Sequence, residues 1–133
     1  MSVNTQRLVA PLGRLLLSLI FIMSGVHKIT HWSETQSKMA AEGMVAVELL
    51  LPGAVLFELG GGLGLLFGYH GRLAAFVLIL FLIPTTLIFH AFWGIDPKEA
   101  AMQQINFLKN VSIAGGMLMV FAHGPGAYSV DRS

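Results

Sequence analysis

The stretch LAAFVLILFLIPTTLIFHAFW, from Leu73 to Trp93, decides the fold. It holds no acidic side chain, no lysine and no arginine, and His90 is its one ionisable group. A run of about 20 apolar residues is what a helix needs to cross a hydrocarbon core of about 30 Å. Lipid offers the backbone no hydrogen-bond partners, so such a run must bond within itself as a helix. Strands of a membrane barrel would be about half as long and would alternate in polarity. Working outward, three more runs have the same character: Leu8 to Val26, Leu49 to Phe67 and Ile105 to Ala122. The expected fold is all-α, a polytopic membrane protein whose four transmembrane helices form one domain over residues 1–133.

Composition points the same way. The chain is 55% apolar and only 11% charged, with a mean hydropathy of +0.73. Soluble domains carry about 25% charged residues, so a water-soluble fold would lack polar surface to cover itself. A net charge of +1 and the lack of a basic run argue against nucleic acid as a partner. The bilayer is the expected partner. There is no cysteine, which excludes thiol chemistry and thiolate metal ligation by this chain. No small-x-small cleavage site follows the first span, since Val26 leads on to His27, Lys28, Ile29 and Thr30; the span is expected to be retained.

The connections differ in kind. Tyr69-His70-Gly71-Arg72 reads as a tight turn, and Gly94 to Glu99 opens a loop of moderate length. The link from His27 to Glu48 reads as a short interfacial helix between the first two spans. Ser33 and Gln36 fit a capping box, and Gly43 suits its stop. Trp32, Met39 and Met44 would lie against the membrane or the bundle, while Glu34 and Lys38 face water. Both tails, to Gln6 and from Gly124, are expected to be loosely held. Arg7, Arg72 and Arg132 share one face; Lys28, Lys38, Lys98 and Lys109 belong to the other. Setting aside charges within spans leaves a tie; the first face is the less acidic one, and the N- and C-termini are expected on that same, cytoplasmic side.

Ionisable groups inside a span are costly and usually face the bundle interior. Arg14, Ser18, Phe21, Gly25 and Lys28 recur at helical spacing and share a face of the first helix. Glu58 sits about 13 Å from either end of its span, and Arg14 roughly 9 Å in, so their depths differ by about 5 Å. Arg14 and Glu58 are therefore the candidate intramembrane pair, either a structural ion pair or a functional one. Lys28, His90, Trp93, Asn106, Lys109 and Asn110 all fall near the lysine-bearing end and make a candidate pocket. Against this stands a plainer role: lysines snorkel to headgroups, and Trp32 and Trp93 suit an aromatic belt. His27 and His31 have the spacing of a helical metal pair but no acidic partner, so no metal is expected. Gly60, Gly64 and Gly68, with Gly115 and Gly116, offer smooth patches for helix contact within or between subunits, and a homo-oligomer is compatible with them. Pro84 should kink the third helix, with Thr85 and Thr86 serving the freed carbonyls.

With these residues in view the chain resembles the DoxX family of small bacterial membrane proteins. The resemblance rests on Arg14, Gly25-x-x-Lys28, Glu58 followed by glycines, and Phe67-Gly68-Tyr69-x-x-Arg72. The run from Ile105 through Asn106, Lys109 and Asn110 to Gly115 strengthens it, as do Gly124-Pro125-Gly126 and Asp131-Arg132. It implies a four-helix protein of the bacterial inner membrane. It also implies a link to redox work, since relatives occur as membrane partners of sulfur-oxidising quinone reductases and oxidative-stress enzymes. No catalytic motif carries over, and no catalytic residue is assigned.

Two functions remain. The first is a non-enzymatic membrane subunit that anchors or assists a soluble or peripheral oxidoreductase, with a quinone as the cofactor its helices could seat. The second is a small proton-linked transporter or lipid-handling protein using Arg14 and Glu58. An oxidoreductase in its own right is disfavoured by the lack of cysteine and of any flavin or nicotinamide fingerprint.

Overall fold

A computed structural model describes residues 2–131; Arg132, used above for sidedness and resemblance, lies outside them. The described residues form five helices and no strand: α1 (Val3–Thr30), α2 (Trp32–Ala41), α3 (Val47–Phe67), α4 (Gly71–Phe89) and α5 (Pro97–His123). All but α2 are long and apolar enough to span a membrane. α1 packs chiefly on α3, α3 on α4 and α4 on α5, while α1 and α5 only brush past each other.

The core is built from Phe21, Leu65, Ala74, Ala75, Leu78, Leu82 and Met117. Most other large apolar side chains, among them Leu16, Leu56, Leu80 and Leu118, point outward. In water that surface would be untenable; in a bilayer the tails solvate it, and close packing rather than water exclusion must hold the helices together. Packing uses some of the expected glycines and others besides. Gly60 has open space around it, as does Gly115. Contact falls on Gly64 against Ala74 and Gly116 against Leu17, as expected, and also on Gly61 against Leu78, Gly62 against Ile22 and Gly25 against Leu59.

Several boundaries differ from those read in sequence. α1 runs to Thr30, and His31 alone separates it from α2. Ser33 therefore lies inside α2 and caps nothing: His31 occupies the N-cap without a side-chain bond, and its carbonyl accepts from the Thr35 N–H and hydroxyl. The stop is as expected. Gly43 takes a left-handed φ of 82°, and the Met44 and Gly43 amides return to the carbonyls of Met39 and Ala40. Met39 is buried, with Trp32 and Met44 packed beside Leu51 and Val55, so α2 lies on the bundle and turns Glu34 and Lys38 outward.

The third span stops at Phe89 rather than Trp93, because the chain leaves helical geometry at His90 and reverses through Gly94 at a φ of 76°. α5 begins two turns earlier than its apolar run. Pro97 stands in the first turn with its φ already helical, and the Ala100 amide bonds the Asp96 carbonyl. Thr85 donates to the Phe81 carbonyl, its own partner one turn back, not to the Leu80 carbonyl that Pro84 leaves unserved.

The two sets of glycines separate cleanly by substitution. Gly61→Ala would bring a Cβ to 2.8 Å of the fully buried Leu78 and should destabilise by about 1–3 kcal/mol, the usual cost of overpacking. Gly60→Ala should leave the melting temperature of the detergent-solubilised protein unchanged or slightly raised. Equal losses from both would mean that α3 meets α4 through a different face.

Candidate functional site

The buried polar groups fall into three clusters, and the expected pairing of Arg14 with Glu58 is not among them. Glu58, only 2% exposed, faces Lys28 instead. The Lys28 Nζ lies 2.6 Å from Glu58 Oε1 and donates to Ser24 Oγ at 2.9 Å. Oε1 has the Lys28 ammonium as its close counter-charge and no other partner among the described residues. The physical reason for the exchange of partners is side-chain direction. A helical side chain leans toward the N-terminus of its own helix. Lys28, near the C-terminal end of α1, therefore leans inward to Glu58, with Ser24 one turn back as its rest.

The same lean carries Arg14 away from Glu58, toward the other end. Its Nη1 donates to the carbonyls of Pro125 at 2.6 Å and Ala127 at 2.8 Å, and Nη2 donates to Tyr128 at 2.7 Å. A longer Nε contact reaches the Leu66 carbonyl at 3.5 Å. The C-terminal segment from Gly124 to Asp131 is thus no loose tail but a strap across the end of the bundle. Its amides at Val130 and Asp131 bond the Phe67 and Gly68 carbonyls, which end α3. The Asp131 carboxylate accepts from the His70 and Gly71 amides, both at 2.7 Å, and so caps the start of α4. Glycines make room: Gly68 faces Ser129, Gly71 faces the buried Pro125, and Gly126 faces Ala10. The Gly71 amide, then that of His70 with the nearby charges of His70 and Arg14, holds the Asp131 carboxyl below its ordinary range, outweighing the opposing effect of desolvation.

The third cluster lies between α4 and α5. Asn110 donates to Thr86 Oγ1 at 2.9 Å. His90 Nδ1 meets Gln103 Oε1 at 2.9 Å, and Asn106 reaches that oxygen at 3.5 Å. Phe92, Trp93 and Phe107 stack edge to face beside them, with centroids 5.5–6.3 Å apart. The expected pocket of six therefore divides. His90, Trp93 and Asn106 gather around Gln103 and Phe107; Asn110 belongs to Thr86; Lys28 belongs to Glu58; Lys109 turns outward. His27 and His31 stack ring on ring at 4.1 Å.

Ser24, Gln103 and Asp131 escaped sequence reasoning as partners. Ser24 had a signal, standing one turn before Lys28; Gln103 and Asp131 stood in segments read as loop and tail.

The comparisons with known proteins agree with this architecture. The DoxX family model matches residues 9–91. The chain belongs to the DoxX family. A second model, that of the SURF4 family, matches residues 55–133. The inner membrane protein YqjF of Escherichia coli K12 is 38% identical over 120 residues, spanning 90% of this chain and 87% of that one. The inner membrane protein YphA of the same organism is 34% identical over 121 residues, 91% of this chain and 86% of its own. A Surfeit locus protein 4 homolog from Drosophila melanogaster is 27% identical over 122 residues, which span 38% of its length. No solved structure matches. With its four apolar helices and such relatives, this DoxX protein is a multi-pass inner-membrane protein.

Two predictions test these clusters. Glu58→Ala and Lys28→Ala should each destabilise strongly, by about 3–5 kcal/mol, because each strands a buried charge. The double variant should recover part of the loss in a thermal melt, whereas losses for Arg14→Ala and Glu58→Ala should simply add. Non-additivity in the second cycle, with additivity in the first, would reverse the assignment.

The cap on α4 should respond to acid. A depressed carboxyl stabilises the fold fully above the ordinary aspartate range, and that stabilisation fades as pH falls through the depressed value. Measured against a cysteine at an exposed site, which divides out the loss of thiolate in acid, a cysteine placed at Ala127 should accordingly gain reactivity in that acidic window. Asp131→Asn should show elevated reactivity at all pH values and no acid step; an acid step that survives the substitution would exclude the carboxylate as its cause.

Proposed function

We propose that this DoxX protein is a non-enzymatic membrane subunit that holds a soluble or peripheral oxidoreductase at the bilayer and offers that system a quinone-facing surface. The observation that carries it is the end of the α4–α5 pair. There Phe92, Trp93 and Phe107 pack edge to face, and the neighbouring His90 and Asn106 in the same two segments meet at the Gln103 amide. A quinone head is a flat ring with two carbonyl acceptors. Aromatic faces suit its plane, and the Asn106 amide, engaged only at 3.5 Å, has donor capacity to spare. Trp93 is 56% exposed, so the ring surface is open to a membrane-dissolved molecule rather than sealed in a core.

A subunit role is favoured over catalysis by how the remaining polar groups are spent. Arg14 binds main-chain carbonyls, Asn110 binds Thr86, and Lys28 balances Glu58, each contact joining two elements of the scaffold. Family resemblance supplies the redox setting. In this reading both termini face the cytoplasm, on the side of Arg7 and Arg72, and α2 lies at the opposite surface.

Purification in mild detergent, followed by mass spectrometry of co-purifying quinones and proteins, tests the proposal. Wild type should retain a membrane quinone and an oxidoreductase, and Trp93→Ala with Asn106→Leu should release the quinone without unfolding the bundle. A preparation free of both, or a quinone content indifferent to those substitutions, sinks it.

A further inference from the structure

A hollow opens where the C-terminal strap crosses the end of α3, far from the aromatic cluster. Its walls come from three elements: Pro11, Arg14 and Leu15 of α1, Leu66 and Phe67 of α3, and Tyr128 to Val130 of the strap. Arg14 is 3% exposed, yet among the described residues no carboxylate stands within ion-pair distance of it; its close acceptors are neutral carbonyls. Of the five guanidinium N–H groups, the carbonyl bonds leave one on Nη2 unspent. Two turns earlier on α1, the Arg7 guanidinium sits over the Tyr128 ring, 5.5 Å from its centroid. Tyr128 lines the hollow, so a second cation stands at its rim.

A buried arginine whose neighbouring carboxylate, Asp131, is spent on the His70 and Gly71 amides is only partly compensated, and that is costly in a bilayer. Carbonyl dipoles ease that cost without cancelling the charge. The rim cation, the under-compensated cation in the wall and the apolar walls of Pro11, Leu15, Leu66, Phe67 and Val130 are complementary to one kind of occupant. We propose that this hollow seats an anionic phospholipid, its phosphate held by Arg7 and drawn toward Arg14, and an acyl chain laid along the α1–α3 wall. Arginine suits the phosphate because its planar donors match paired oxygens. The lipid would also bear on the strap, since Tyr128, Ser129 and Val130 form one side of its seat.

The test uses the full chain in nanodiscs of phosphatidylcholine, with and without phosphatidylglycerol. Native mass spectrometry should find phosphatidylglycerol retained about tenfold over phosphatidylcholine, the equivalent of one charge-assisted hydrogen bond. The melting temperature should rise by a few degrees when it is present. Arg7→Gln, at an exposed position, should abolish the preference and the rise, and should lower the melt in phosphatidylcholine only slightly, through loss of its contact with the Tyr128 ring. Val130→Trp, which fills the hollow, should likewise abolish retention. Equal retention of the two lipids overturns the proposal, as does a preference that survives both substitutions. A rise produced by inorganic phosphate in phosphatidylcholine discs overturns the lipid assignment in favour of a soluble phosphate.

Discussion

A guanidinium in a hydrocarbon slab has to be surrounded, and much of this structure follows from how Arg14 is surrounded. Three strap carbonyls converge on it, from Pro125, Ala127 and Tyr128. Carbonyls of a regular helix are spent on its own amides, so only non-helical chain can present several to one cation. That requirement explains why the chain abandons α5 at Gly124, with a φ of 82°, and folds back over the end of the bundle. Once there, the strap serves the backbone groups that the α3–α4 turn leaves open: carbonyls of Phe67 and Gly68, amides of His70 and Gly71. One buried cation thus organises the C-terminus, and the C-terminus in turn completes the turn between α3 and α4.

Much of the fold was legible because the bilayer imposes a simple rule on sequence: long apolar runs must be helices. Gly43 marked a helix end for the usual reason, a left-handed residue near which amides return to the last turn, and Gly68, read in sequence as part of a contact stripe, ends α3 in the same way. What was not legible is equally physical. Hydropathy sees where a helix is in lipid, not where it is a helix, so α5 begins in the polar stretch Pro97 to Gln104 that an apolar window passes over. Depth along a helix axis gave Arg14 and Glu58 similar levels, but it takes no account of lean. Arg14 and Lys28 each reach about a turn toward the N-terminus of α1, which moves one away from Glu58 and brings the other to it.

The candidate pocket failed as a unit for a related reason. Residues near one end of several helices share a depth, not a direction. Lys109 and Asn110 are neighbours in sequence, yet a helix turns by about a hundred degrees between them. Asn110 meets Thr86 inside the α4–α5 seam, while Lys109 is turned out. The group that did assemble, His90 with Asn106 and Trp93, was drawn together by the early end of α4. The chain beyond Phe89 is free to fold its aromatic side chains onto α5, where Phe107 receives them.

The two ends of the molecule are therefore built on different terms. At the strap end, α3 and α4 are joined by a tight turn whose exposed amides are capped by Asp131, and the connecting chain is tied down by Arg14. At the other end α4 stops short, α5 runs on past it, and the loop from His90 to Asp96 carries open aromatic surface. Between them stands Lys28–Glu58, which pins α1 to α3. Such a pair fixes register rather than adding much stability, because the desolvation of two charges offsets most of their attraction. A locked end and a register pin let the opposite end forgo tight packing, and recognition is ordinarily carried by irregular chain on a rigid scaffold. That division of labour is the structural reason to seek the proposed partner at the α4–α5 end and the proposed lipid at the strap.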